Sequence, residues 1–243
     1  MTQLEENLER LEDRIAAACR AAGRERAGVE LMAVSKTYPA ATMAEAAALG
    51  LNLFGENRVQ EFAEKAVHAE AFRSACGNGR LKVHLIGHLQ SNKAARAVEV
   101  FDGIDSLDSL RLAQRINEAA GKLGKRLPVL IEVKLSNEET KAGLDPASPD
   151  AAQLLERLPD LAHLEARGLM TIAPFGVGVE ETRACFRALR TLRDAWAKAH
   201  PRLDLGALSM GMSGDFDLAI AEGATRIRVG TALFGARNSA EKP

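Results

Sequence analysis

The sequence predicts an α/β protein built as a single (β/α)8 TIM-type barrel with an extra N-terminal helix. Three observations carry this expectation. Short apolar runs alternate with Ala- and Leu-rich helical segments, the pattern of βαβ units and a parallel sheet. Eight such runs fit within 243 residues, the strand number and size of one such barrel. No glycine-rich turn follows the first run, which disfavours the competing doubly wound sheet.

The elements follow in order. Leu4, Leu8, Leu11, Ile15 and Cys19 recur at spacings of three and four, one apolar stripe on a helix within residues 1–23 that Gly23 ends. The barrel is expected over 30–235. Its first strand, 30–36, reads Glu30-Leu31-Met32-Ala33-Val34-Ser35-Lys36 and is closed by Thr37-Tyr38-Pro39, an apolar run stopped by turn chemistry. Further strands are expected at 51–56, 82–87, 101–107, 128–135, 164–172, 203–210 and 225–233. Helices are expected between them, at 40–49, 58–71, 90–100, 108–122, 149–158, 180–199 and 215–222. No linker, repeat or low-complexity tract interrupts the series, so residues 1–243 are expected to form one domain.

Bulk properties exclude several function classes. With 47% hydrophobic residues the chain can bury a large core. A net charge of -1 and a pI near 6.5 give no reason to expect a nucleic-acid partner. Cys19, Cys76 and Cys185 lie far apart and form no CxxC pair, as expected of reduced cytosolic thiols. The acidic start Met1-Thr2-Gln3-Leu4-Glu5-Glu6 lacks the apolar core of a signal peptide. No apolar stretch has the length of a membrane span. A soluble cytoplasmic protein is expected.

The chemistry should sit at the strand C-termini. Strand one delivers Lys36 there. Desolvation lowers an ammonium pKa, and a neutral amine can condense with an aldehyde. Taken alone, such a lysine more often only snorkels out of the rim. Strand two ends in Gly55-Glu56-Asn57, and strand seven in Ser209-Met210-Gly211-Met212-Ser213-Gly214-Asp215. Strand eight reads Arg226-Ile227-Arg228-Val229-Gly230-Thr231. Loops after strands seven and eight often bind phosphate. Gly211, Gly214 and Gly230 would let amides approach an anion, although small residues there are also plain turn chemistry. Arg226, Arg228 and Gly230 share one strand face, as do Met32, Val34 and Lys36. Closure of the barrel would bring both faces onto one cavity. Arg228 would then need a partner: either an acid such as Glu132, or a ligand's ring nitrogen. A lysine, a phosphate cradle and an arginine are the set that pyridoxal 5'-phosphate (PLP) requires. His84 and His88 are four apart, but Gly87 breaks the helix a metal pair would need, and no metal is expected. The Glu138-Glu139-Thr140-Lys141 loop reads as a solvated charged segment. Trp196 reads as packing on its helix.

Several blocks together resemble the YggS/PROSC family of PLP-binding proteins, also called PLP-homeostasis proteins. They are Ala33-Val34-Ser35-Lys36, the run from Phe54 to Glu61, the run from His84 to Lys93, Gly168-Leu169-Met170-Thr171-Ile172, the run from Leu208 to Ser213, and the run from Arg228 to Gly235. They follow family order over nearly the whole chain. The family usually carries aromatics beside the histidine of the third block, where this chain has Val83 and Leu85. The resemblance implies a barrel like the N-terminal domain of alanine racemase. It implies PLP held as a Schiff base on Lys36, with Asn57 lining the pocket. It implies Ser209, Gly230 and Thr231 around the phosphate, Met210 among the cofactor-binding residues, and Arg228 facing the pyridine nitrogen. It also implies a mostly monomeric carrier or buffer of PLP that influences amino-acid and keto-acid pools and meets apo-enzymes transiently.

Two other readings stay open at this stage. One is a PLP-dependent amino-acid racemase; the other is an aldolase-type barrel enzyme that uses Lys36 without PLP. Racemases of this fold pair the lysine with a tyrosine from a second domain of a partner subunit. This chain ends soon after strand eight and is expected to lack that domain, and its one tyrosine is Tyr38. An arginine opposite the ring nitrogen also weakens PLP as an electron sink. The carrier reading is favoured.

Overall fold

Eight parallel strands close into a barrel in sequence order. The computed structural model describes residues 2–67, 81–135 and 142–235. The strands are β1 Glu30–Val34, β2 Leu53–Glu56, β3 Lys82–Leu85, β4 Gly103–Leu107, β5 Leu127–Glu132, β6 Leu164–Met170, β7 Ala207–Ser209 and β8 Arg226–Val229. β1 pairs with β8 through Glu30↔Arg226, Leu31↔Ile227, Met32↔Arg228 and Ala33↔Val229, which closes the ring.

Around it lie α1 Gln3–Ala21, α2 Ala40–Ala48, α3 Val59–Ala66, α4 Ala94–Val100, α5 Leu110–Lys122, α6 Pro149–Arg157, α7 Val179–Ala199, α8 Phe216–Ala221 and α9 Thr231–Phe234. The apolar stripe of α1 buries Leu4, Leu11, Ile15 and Cys19. Its start is fixed by a capping box: Glu5 N–H donates to Thr2 Oγ1 and Thr2 N–H to Glu5 Oε2. α1 is strapped across the closing units. Asn7 donates to the Leu233 carbonyl at 2.9 Å, Arg24 to the Ile220 carbonyl at 2.8 Å, and Arg14 pairs with Asp217 at 3.1 Å.

The period-2 alternation of strands sorts side chains into two layers. Leu31, Ala33, Phe54, Val83 and Leu85 join the helices in the large core. Met32, Val34, Leu53 and Ile86 form a separate cluster inside the barrel. The interior is not wholly apolar. Towards the N-terminal end, Arg226 donates to Asp105 at 2.9 Å and to Glu30 at 2.8 Å, and Asp105 meets His84 Nδ1 at 2.8 Å. Burial alone would raise the Asp105 pKa, but His84 and Arg226 outweigh it and hold the carboxyl below its ordinary value.

Several expected strands are shorter than the sequence suggests, and two lose the most. The expected strand 203–210 shrinks to Ala207–Ser209, with Asp204 turned back onto the Gly206 N–H. The expected strand 225–233 stops at Val229, and Thr231–Phe234 coil into α9. The charged loop 138–141, the end of the helix expected at 58–71 and Cys76 lie outside the described residues. No helix among the described residues is long and apolar enough to cross a membrane.

Candidate functional site

A cavity of about 680 Å³ opens at the C-terminal mouth of the barrel. Lys36, Asn57, Arg228, Gly230 and Thr231 all line it, together with Glu132, Ser213 and Gly214. The face-sharing of β1 and β8 thus places Lys36 and Arg228 on one wall, as expected from the sequence. Ser209 and Met210 do not line the cavity. Both are fully buried behind it.

Ser209 instead holds Arg228. The guanidinium Nη1 donates to the Ser209 carbonyl at 2.7 Å and to Ser209 Oγ at 2.9 Å, and Nη2 donates to the Thr171 carbonyl at 2.8 Å. Three of its five donors are therefore committed to the barrel. Burial works to lower the Arg228 pKa, against the nearby charges of Asp105, Glu132 and Asp215. Glu132 makes no ion pair with Arg228 in the described contacts. Its Oε2 is buried with no hydrogen-bond partner. Burial, with Asp108 adding repulsion, pushes its pKa up to about 7, and Arg228 only partly opposes this. A buried carboxyl with an open oxygen on the wall is poised to take a proton or a ligand's donor.

The glycines divide by role. A Cβ on Gly87 would lie 2.3 Å from the Asn57 carbonyl, so this glycine lets the ends of β2 and β3 approach on the cavity wall. Gly211 has a different reason from the one the sequence suggests. Its φ is +92° and a Cβ would sit 2.6 Å from that of Ala219. It seats α8 under the loop and does not line the cavity. Met212 N–H is taken by Asp215 Oδ1 at 2.6 Å, and Ala232 N–H by Ser213 Oγ at 3.3 Å. From these two loops, Met212, Ser213, Gly214, Gly230 and Thr231 line the cavity.

Lys36 sits half-buried in a tight turn. Tyr38 N–H donates to the Ser35 carbonyl at 3.0 Å, with Lys36 and Thr37 between them. Thr37 takes φ +69°, the one positive value outside glycine among the described residues. For a β-branched residue that conformation costs on the order of 1–3 kcal/mol. Tyr38 is directed elsewhere: its hydroxyl donates to the Gly235 carbonyl at 2.8 Å and its ring packs on Phe234. It does not line the cavity. His84 lies with Asp105, while His88 lines the cavity and faces Asp108 at 3.1 Å. No cluster of three metal-ligating side chains occurs among the described residues.

Sequence reasoning missed two features. Ile172, Phe175 and Met212 form an apolar rim on the mouth, with Phe175 96% exposed. Lys65, on α3, reaches the turn that carries Lys36.

The sequence profile described as alanine racemase, N-terminal domain, matches residues 7–238. A pyridoxal phosphate homeostasis protein of Aquifex aeolicus is 42% identical over 232 residues, 96% of this chain and 97% of that one. Its counterpart in Escherichia coli K12 is 39% identical over the full length of both chains. The solved structure of PipY from Synechococcus elongatus PCC7942 with PLP bound superposes with a TM-score of 0.80 at 45% identity, over 92% of this chain and 99% of that one. An alanine racemase of Clostridium difficile shares the fold at 19% identity and a TM-score of 0.70, over 98% of this chain and 57% of that one. With matches of this length and identity, the chain belongs to the alanine racemase N-terminal-domain family and, within it, to the group of pyridoxal phosphate homeostasis proteins.

Proposed function

We propose that this protein binds PLP through Lys36 and serves PLP homeostasis as a carrier or buffer rather than as an enzyme. One observation carries the reading: Lys36, Arg228 and the loops after β7 and β8 meet on one cavity. Its volume, about 680 Å³, falls within the range of small cofactor sites. The donor set suits a phosphorylated aldehyde. Lys36 would take the aldehyde and Asn57 would flank it. Ser213, Gly214, Gly230 and Thr231 would receive the phosphate, with Ser209 and Met210 supporting that wall from behind. Arg228 would meet the ring nitrogen, its position set by Ser209 and Thr171. When bound, PLP supplies an electrophilic carbon and an electron sink.

The carrier reading draws support from the relatives' shared designation and from Tyr38. A two-base racemase needs a second acid–base group opposite the lysine. Here the tyrosine hydroxyl is bound to Gly235 and lies off the cavity. We further propose one domain acting as a cytoplasmic monomer that meets apo-enzymes transiently; the widely spaced cysteines, which form no CxxC pair, support the reducing compartment in that reading.

Proton NMR of the PLP-loaded protein with L-amino acids in deuterium oxide tests this. The α-proton signals should persist as in a free-PLP control, while Lys36→Ala removes the visible absorbance of the bound cofactor. Loss of those signals above the control, abolished by Lys36→Ala, would establish racemase-like turnover and end the carrier reading.

A further inference from the structure

The backbone on both sides of Lys36 is tied to α3 by one cluster. Lys65 Nζ donates to the Ser35 carbonyl at 3.1 Å, to Glu56 Oε1 at 3.0 Å and to Glu61 Oε1 at 2.8 Å. These account for its three donors. Glu61 Oε1 also accepts the Thr37 N–H at 2.6 Å. Ser35 Oγ donates to Glu56 Oε1 at 2.7 Å. Residue 35 is thus held by Lys65 and residue 37 by Glu61, with Lys36 between them.

An i,i+4 Lys–Glu pair on a helix is usually solvated and worth little. This one differs in its surroundings. The Lys65 side chain is only 11% exposed, and Glu56 is fully buried. Burial raises the Glu56 pKa against the opposing pull of Lys65 and Ser35. Neutralising Glu56 would require only the contact between Lys65 and Glu56. It would not require Lys65 to reach the Ser35 carbonyl or Glu61 to reach the Thr37 amide. Those two contacts act on the turn that also carries the positive φ of Thr37, a conformation that persists only where neighbours over-determine it.

We propose that Lys65 and Glu61 are positioning residues that fix where the Lys36 amine stands in the cavity. This rests on reading Lys36 as the attachment point. There the Lys36 nitrogen adds to the aldehyde carbon, and the aldehyde oxygen departs as water. Misplacing an attacking atom by about 1 Å can cost up to about a hundredfold in rate. Neither residue lines the cavity, so binding of the phosphate and ring should outlast their loss.

The experiment uses the full chain freed of cofactor. PLP is added, borohydride quenches the mixture at intervals, and the label on Lys36 is quantified by peptide mass spectrometry. Equilibrium dialysis measures total bound PLP, and circular dichroism confirms folding. Lys65→Met and Glu61→Ala should slow labelling about tenfold while total binding changes less than about twofold. Glu61→Gln keeps the acceptor oxygen and should stay within about twofold of wild type. Should Lys65→Met fail to fold, Glu61→Ala decides the matter, because that carboxylate is 25% exposed. Labelling of Glu61→Ala at the wild-type rate overturns the proposal. So does an equal loss of labelling rate and total binding, which would show a merely structural role. Absence of Lys36 label in the wild type overturns the attachment reading and this inference with it, whereas normal wild-type labelling with unaffected variants overturns the inference alone.

Discussion

At the scale of single residues, Glu132 has the most measurable consequence. Its folded pKa, about 7, lies above the ordinary carboxylate value of 4.5. Below pH 4.5 the folded and unfolded states both hold the proton, and the contribution to stability is fully present. Between 4.5 and 7 only the folded state keeps it, so stability falls as pH rises, by roughly 3 kcal/mol in all. Glu132→Gln removes this dependence. Urea midpoints at pH 4.5 and pH 7.5 should therefore show the variant gaining on the wild type by up to about 3 kcal/mol at the higher pH; a constant difference would contradict the assignment. The sequence named Glu132 as a partner for Arg228, because a buried arginine needs one. It could not reveal that backbone carbonyls and Ser209 would fill that role first. That Lys36, Arg228, Gly230 and Thr231 share one cavity was legible because strand alternation and strand ends fix where such side chains go, whereas Asn57 was expected there only from the family resemblance. Lys65 was not, since four-residue spacing from Glu61 reads equally as a solvated helix face.

At the scale of elements, β6 depends on one glycine. Gly168 takes φ +152°, and a Cβ there would stand 1.9 Å from the Ala207 carbonyl oxygen on β7. It lies where the β5–β6 register shifts, between Val129 and Leu130. Gly168→Ala would have to push the two strands apart or abandon that conformation. We expect a loss of at least about 3 kcal/mol, from overpacking and backbone strain together, visible as a fall in urea midpoint. Gly124→Ala is the comparison, with nothing within 4 Å of its added Cβ, and should cost less. The existence and type of the strands were readable from their apolar runs. Their ends were less so. Thr231-Ala232-Leu233-Phe234 continues the apolar run of β8, and periodicity over four residues cannot separate strand from helix. The turn at Gly230 decides it, with ψ -74° starting α9.

At the scale of the whole molecule, the barrel carries a polar column through its interior, with Arg226, Asp105 and His84 at one end and Arg228 and Glu132 at the other. Such groups contribute little net stability compared with a packed apolar core. The number of strands and the order of elements could be anticipated, because eight alternating runs admit few other closures. The column could not, because it depends on which inward positions lie level with one another around the ring.

Closure of the ring joins Glu30 to Arg226, 196 residues apart. Contacts of such separation form late and slowly. Lys36 follows β1 while Arg228 and Thr231 belong to the last unit, so the cavity is assembled only when these distant segments meet. A ligand of that cavity has nothing complete to grip on a partly folded chain. Its affinity should therefore lower the unfolding rate and leave the folding rate nearly untouched. Stopped-flow measurements with and without PLP should show the unfolding limb displaced and the refolding limb superimposed. Acceleration of refolding would mean that the first and last strands are already paired at the barrier.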